Sequence, residues 1–183
     1  MATPPAAQPA SPRATPSARL FGLFVALWPD ACVRQALAVC RDRQHWPPGA
    51  SPTRDDKLHL TLHFIGAVPL TRLAEVAGGL QVPVRPFVLR LDAVECWRGG
   101  LAVLLPQAPP PRLWQLHEEL AAALRRLALP LQAQAFRPHV TLARRALPAQ
   151  ALTLGEPVPW RVTGYALVRS LPEGRYETLR QYR

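Results

Sequence analysis

Two short segments of this chain each pair an imidazole with a hydroxyl. His59-Leu60-Thr61-Leu62 lies in the first half and His139-Val140-Thr141-Leu142 in the second, 80 residues apart. Both sit in strand-like, apolar surroundings. Side chains alternate along a strand, so His and Thr of each copy project from one face. Leu60, Leu62, Val140 and Leu142 project from the other and are candidates for the core. Two such pairs suit a reaction with two proton transfers. Opening a cyclic phosphodiester with water is one: a base takes a proton from water, and an acid gives one to the departing ribose oxygen. Histidine serves either role because its pKa of about 6.5 lies near working pH. Attack and departure are in line at phosphorus, so histidines on facing strands suit the two sides. The threonine hydroxyls can donate to the non-bridging oxygens, where charge builds. Neither copy carries carboxylates or cysteines at metal-ligand spacing, so no metal and no cofactor is expected. A single H-x-T arises often by chance; a duplicated one in two apolar strands is far harder to reach that way.

The elements that must position these pairs are legible in outline. Met1 to Ala18 is Ala, Pro, Ser and Thr with Arg13, a composition without core material, read as a disordered tail. A domain from residue 19 to residue 183 follows. Leu20 to Trp28 reads as a buried strand, and Pro29-Asp30 opens a helix carrying Val33, Leu37 and Cys40. Gln44 to Thr53 reads as a loop. Leu58 to Ile65 is a strand closed by Gly66, and Leu70 to Leu80 a helix. Phe87 to Trp97 and Leu101 to Leu105 form a hairpin across Arg98-Gly99-Gly100. Pro111 to Leu129 is the longest helix, with Leu113, Leu116, Leu120, Leu124 and Leu127 on one stripe. Val140 to Ala143, Val158 to Val168 and Tyr176 to Leu179 complete the strands. The fold class is α+β with mainly antiparallel sheet.

Composition limits the function without choosing it. The net charge is +10 and Lys57 is the only lysine. A basic surface favours polyanions, but many Ala, Pro and Arg beside one Lys also fit the codon bias of a GC-rich genome. Cys32, Cys40 and Cys96 are odd in number and lack a CxxC. They read as core thiols in a reducing cytoplasm. No apolar run approaches the roughly 20 residues of a membrane span.

With these residues in view, the chain resembles the 2H phosphoesterase superfamily, and within it the bacterial RNA 2′,3′-cyclic phosphodiesterases, also called 2′-5′ RNA ligases. Leu58-His59-Leu60-Thr61-Leu62-His63-Phe64-Ile65-Gly66 is similar to that family's first motif, and Phe136-Arg137-Pro138-His139-Val140-Thr141-Leu142-Ala143-Arg144 to its second. Arg19-Leu20-Phe21 resembles its N-terminal strand and Gly174-Arg175-Tyr176-Glu177 its C-terminal one. Ala67 departs from the acid common there. The resemblance implies a bilobal α+β fold with two mainly antiparallel sheets, flanking helices and pseudo-twofold symmetry around a cleft. It implies hydrolysis of RNA 2′,3′-cyclic phosphate ends to 2′-phosphates, with His59 and His139 as the acid–base pair. Which is acid stays open, with His59 preferred. Thr61, Thr141 and Arg144 would hold the phosphate, Arg144 through its guanidinium fork. Phe64 would be a platform for the nucleobase, although alternation from His59 puts it on the core face. His63 shares the parity of His59 and reads as a variable surface position. Arg137 either draws in RNA or is simply exposed, and His45 and His117 read as structural. RNA ends or nucleoside 2′,3′-cyclic phosphates are the expected partners of a monomer. Other readings remain: 2′-5′ RNA ligation by the same site, a relative acting on 2′-5′ oligoadenylate or ADP-ribose cyclic phosphate, or a non-catalytic RNA- or nucleotide-binding module.

Overall fold

The computed structural model describes residues 20–147 and 155–183. The expected tail 1–18 and Arg19 lie outside the described residues. Strand β1 (Leu20–Leu27) is the apolar run of the sequence. It lies between two antiparallel neighbours, β3 (Leu60–Pro69) and β9 (Tyr165–Ser170). Both of its faces are covered as well. Leu23, Val25 and Leu27 enter the main core, while Phe24 and Ala26 join Ala166 and Val168 in a second layer on the opposite face.

Pro29 cannot continue the strand ladder, and Asp30 caps helix α1 (Ala31–Asp42) by accepting from the Val33 N–H at 2.9 Å. This helix buries Val33, Leu37 and Cys40, as its stripe predicts. Cys32, by contrast, is exposed, because it falls one residue before the stripe. At the end of α1 the largely buried Arg41 pairs with Asp42 and Asp55 and donates to the Thr53 carbonyl. The expected loop contains a two-residue strand, β2 (Ser51–Pro52), paired with β7 (Val140–Arg144). Helix α2 (Leu73–Gly79) is preceded by a 3-10 turn at Leu70–Arg72.

Two expected strands are broken. Phe87 to Trp97 divides at Asp92 into β4 (Phe87–Leu91) and β5 (Ala93–Trp97). Asp92 donates its N–H to Leu105 and accepts from the Gln107 N–H, which carries the chain from one sheet to the other. Only β5 forms the hairpin with β6 (Leu101–Leu105). Val158 to Val168 likewise divides into β8 (Val158–Val162) and β9. A Cβ at the intervening Gly164 would collide with the Tyr182 carbonyl. Helix α3 (Pro111–Arg126) buries Leu113, Leu116, Leu120 and Leu124. It stops before Leu129 because Ala128 turns left-handed, at φ 51°. Strand β10 (Tyr176–Tyr182) is longer than expected.

The architecture is α+β, with an eight-stranded sheet ordered β10-β9-β1-β3-β7-β6-β5, β2 joining β7, and a separate ribbon of β4 and β8. Helices and ribbon pack on one face around the main core. The large sheet is continuous across both halves of the chain. Its halves meet at β3 and β7, which share one registered pair, Leu60 with Val140.

Candidate active site

That single pair organises the site. Leu60 and Val140 are both fully buried, so their neighbours along each strand face the other way. Extending the antiparallel register one residue in each direction sets His59 across from Thr141 and Thr61 across from His139. Opposed residues have Cβ atoms about 4.5–5.5 Å apart. The two H-x-T copies therefore form one four-cornered group, related by a local twofold axis through the Leu60–Val140 pair. All four side chains line a cleft of about 450 Å³, together with Phe64 and Arg144. That volume suits a nucleotide-sized ligand.

Phe64 and Arg144 reach the cleft by the same device. In β3 the register with β1 runs from Thr61 opposite Ala26 to His63 opposite Val25, so Leu62 is an extra residue. In β7 the register with β6 runs from Thr141 opposite Val103 to Ala143 opposite Ala102, so Leu142 is the extra residue. A bulge after each threonine reverses the alternation. The sixth residue of each copy, counting from His, thereby turns to the cleft. It is Phe64 in one and Arg144 in the other. Phe64 is 49% exposed, which overturns the core placement that simple alternation gives. The same reversal buries His63, against the surface position expected for it. The His63 Nε2–H donates to the His117 carbonyl at 2.8 Å, and the two rings stack at 4.0 Å. His45 is exposed.

Each catalytic candidate is held by the carbonyl two residues before it. His59 Nδ1 lies 2.7 Å from the Lys57 carbonyl, and His139 Nδ1 lies 2.7 Å from the Arg137 carbonyl. A carbonyl only accepts, so both Nδ1 atoms carry hydrogen and both Nε2 atoms are left for chemistry. His59 Nε2 is 3.1 Å from Thr61 Oγ1. The carbonyl of Lys57 is itself fixed by the loop before β3. Arg41 ties Thr53 and Asp55 to α1, while the Thr53 N–H donates to Leu142 in β7. This loop is thus stitched to α1 and to β7, and runs on into β3.

The two imidazoles differ in surroundings. His59 is enclosed by three rings: Trp28 stacks on it at 5.4 Å, Phe24 lies at 5.1 Å and Tyr176 stands edge-on at 5.4 Å. Burial pulls its pKa down to about 4, the Lys57 carbonyl opposes this, and the charges of His139 and Arg144 lower it further. His139 has one ring neighbour, Trp97 at 4.7 Å. Its pKa is also lowered, by burial and then by Arg137 and Arg144, against the Arg137 carbonyl. Arg137 lies over the Trp97 ring at 3.9 Å and 3.6 Å from Glu95. It is therefore built into the wall behind His139.

Several lining groups had no role in the sequence reading. Tyr176 comes from β10, three strands along from β3 in the sheet, and Lys57 lies over its ring at 5.8 Å. Lys57 directly precedes the first motif but is not part of it, and it stood out only as the single lysine. Phe24, which lines the cleft, and Trp28, which backs His59 without lining it, read as core from their apolar run. Among the described residues, no three His, Cys, Asp or Glu side chains gather as a metal ion would need. No described helix is long and apolar enough to cross a membrane.

The paired H-x-T group thus lies on one face of the sheet, with Arg144 lining the same cleft. The family model of the 2′-5′ RNA ligase superfamily matches residues 29–173. The chain belongs to this superfamily. It is 35% identical over 140 residues to the RNA 2′,3′-cyclic phosphodiesterase of Escherichia coli K12, covering 74% of this chain and 77% of that one. It is 33% identical over 169 residues to the protein of the same name from Thermus thermophilus, covering 81% of each. Escherichia coli LigT, solved in complex with 3′-AMP, superposes with a TM-score of 0.74 at 32% identity, over 90% of this chain and 98% of that one.

Proposed function

We propose that this chain opens 2′,3′-cyclic phosphates at RNA ends, or on nucleosides, to give 2′-phosphates. The observation that carries the reading is the register of Leu60 with Val140, which opposes two His–Thr pairs across one cleft. Water attacks phosphorus, a P–O bond forms, and the P–O3′ bond breaks. One imidazole takes the proton from water at Nε2, and the other returns a proton to O3′. Thr61 and Thr141 donate to the non-bridging oxygens, and Arg144 balances their charge. In the free protein Thr61 is engaged with His59; a bound phosphate takes over its hydroxyl and releases Nε2. Phe64, at the rim, stacks on the base.

The surroundings support His59 as acid and His139 as base. An imidazolium with a lower pKa is the stronger acid, and the imidazole held down less is the stronger base. His139, with one ring neighbour instead of three, is also the more open to water. The negative phosphodiester between them raises both pKa values on binding, which restores the proton that burial denies His59. A 5′-hydroxyl in place of water gives 2′-5′ ligation with the same groups. The buried free thiol of Cys40 fits a reducing cytoplasm, where the chain acts as a monomer.

The test is turnover of cytidine 2′,3′-cyclic phosphate in EDTA by the wild type, His59→Ala and His139→Ala, with 2′- and 3′-phosphate products resolved. The expected result is 2′-phosphate, with loss of about 10²–10⁴-fold in each variant. A metal requirement, or a variant at wild-type rate, contradicts the mechanism. Folded wild type without turnover, on mononucleotide or on RNA with a cyclic end, overturns the function.

A further inference from the structure

A second cavity, of about 480 Å³, adjoins the catalytic cleft. Thr61 and His139 line both, so it opens behind the very groups that contact the phosphate. Its walls come from α3 and the segment leading into β7. Phe136 stacks on His117 at 4.1 Å, and Trp114 stands edge-on to Phe136 at 5.4 Å. Trp114 is not part of the buried leucine stripe of α3 and remains 41% exposed. Leaving so large a ring in water has a cost that a stacking partner removes. Arg125 and Arg137 add cations to the lining, Arg137 already facing Glu95 at 3.6 Å, and Gln132 and Gln134 add amides. The one carboxylate there, Glu118, lies 3.7 Å from His117, so an anion belongs towards Arg125.

We propose that this cavity is a subsite for a second nucleoside of RNA, one that does not carry the cyclic phosphate. The inference rests on the phosphodiesterase reading above. Aromatic faces with amide and arginine edges are the groups by which unpaired bases are held: the ring stacks, and the edges take hydrogen bonds. The cavity lies on the His139 side. Two nucleosides are candidates for that position: the one preceding the cyclic end on the same strand and the one whose 5′-hydroxyl replaces water.

The experiment compares wild type, Trp114→Ala and Trp114→Phe by calorimetry and by turnover. Binding is measured with cytidine 2′-phosphate and with a dinucleotide ending in the same 2′-phosphate. Turnover is measured on the corresponding cyclic phosphates, with and without excess 5′-hydroxyl nucleoside, scoring 2′-5′-linked product. A stacked base predicts that Trp114→Ala weakens the two-nucleoside interaction about 5- to 100-fold. The mononucleotide constants should move less than about twofold, and Trp114→Phe should recover most of the loss. Loss confined to the dinucleotide assigns the preceding nucleoside; loss confined to the linked product assigns the 5′-hydroxyl nucleoside. An equal loss on mononucleotide and dinucleotide overturns the proposal, since the ring then only supports the fold. So does no loss on either binding or linked product. If the wild type turns over no cyclic phosphate, the function falls while the binding ratio still decides the subsite.

Discussion

Removing His139 leaves His59 as the only imidazole of the pair, and the pH dependence of what activity remains reveals its role. Burial holds His59 to about 4. If it delivers the proton to O3′, only its protonated form is competent. Above its pKa that form declines tenfold per pH unit, so kcat/KM of His139→Ala should fall about 100-fold between pH 5 and pH 7. Loss of the His139 charge moves the His59 pKa slightly upward, which shifts the line without changing its slope. In the reciprocal variant, His59→Ala, the base His139 remains. Its rate should rise with pH through the His139 pKa and then stay level. The assay is formation of cytidine 2′-phosphate under single-turnover conditions, in buffers without amines or imidazole that would supply a substitute proton donor. A His139→Ala profile that rises from pH 5 to pH 7 refutes His59 as the acid; a level one marks hydroxide in place of water as the nucleophile, its tenfold rise per pH unit offsetting the loss of protonated His59. The wild-type bell cannot replace this test, because its limbs belong to the coupled pair.

Arg144→Ala should lower kcat/KM about 10- to 100-fold, the cost of about 1.5–3 kcal/mol for a hydrogen bond to a charged group. It should also shift the wild-type bell to higher pH, since the Arg144 charge lowers both histidines; an unmoved bell would place Arg144 away from them. Phe64→Ala should raise KM about 5- to 100-fold with little change in kcat if the ring stacks on the base, and an unchanged KM would return Phe64 to a bystander. Leu60→Ala empties a fully buried site at the joint of the two half-sheets; urea denaturation should show a loss of about 2–5 kcal/mol. Acid should destabilise the fold through His117, whose pKa burial lowers to about 4. The unfolded chain takes up that proton near pH 6.5 and the folded chain resists it, so stability is full above about 6.5 and declines as pH falls towards 4. Melting temperatures should fall across that window, and fall less in His117→Phe.

The sequence by itself singled out the candidate site. A duplicated His-x-Thr-Leu in apolar strands marked His59, Thr61, His139 and Thr141 as candidates, and the family resemblance of the second motif added Arg144. It determined α1, α3 and most strand positions too, because hydrophobic period and Pro and Asp punctuation are local signals. Tertiary structure decided what depends on pairing. A bulge is a mismatch between two strands and has no signature in either alone. Alternation therefore misplaced Phe64 and His63 by one parity step, and the partners Ala26 and Val25 of β1 corrected it. The breaks at Asp92 and Gly164 arise from contacts with Leu105 and Tyr182, remote in sequence. Tyr176 lines the cleft and Trp28 packs on His59 because β10, β9, β1 and β3 lie side by side in that order. The unequal environments of the two histidines are set in the same way. Identical motifs have identical intrinsic pKa values, and the tertiary surroundings, three rings about His59 against the single ring beside His139, set the two apart.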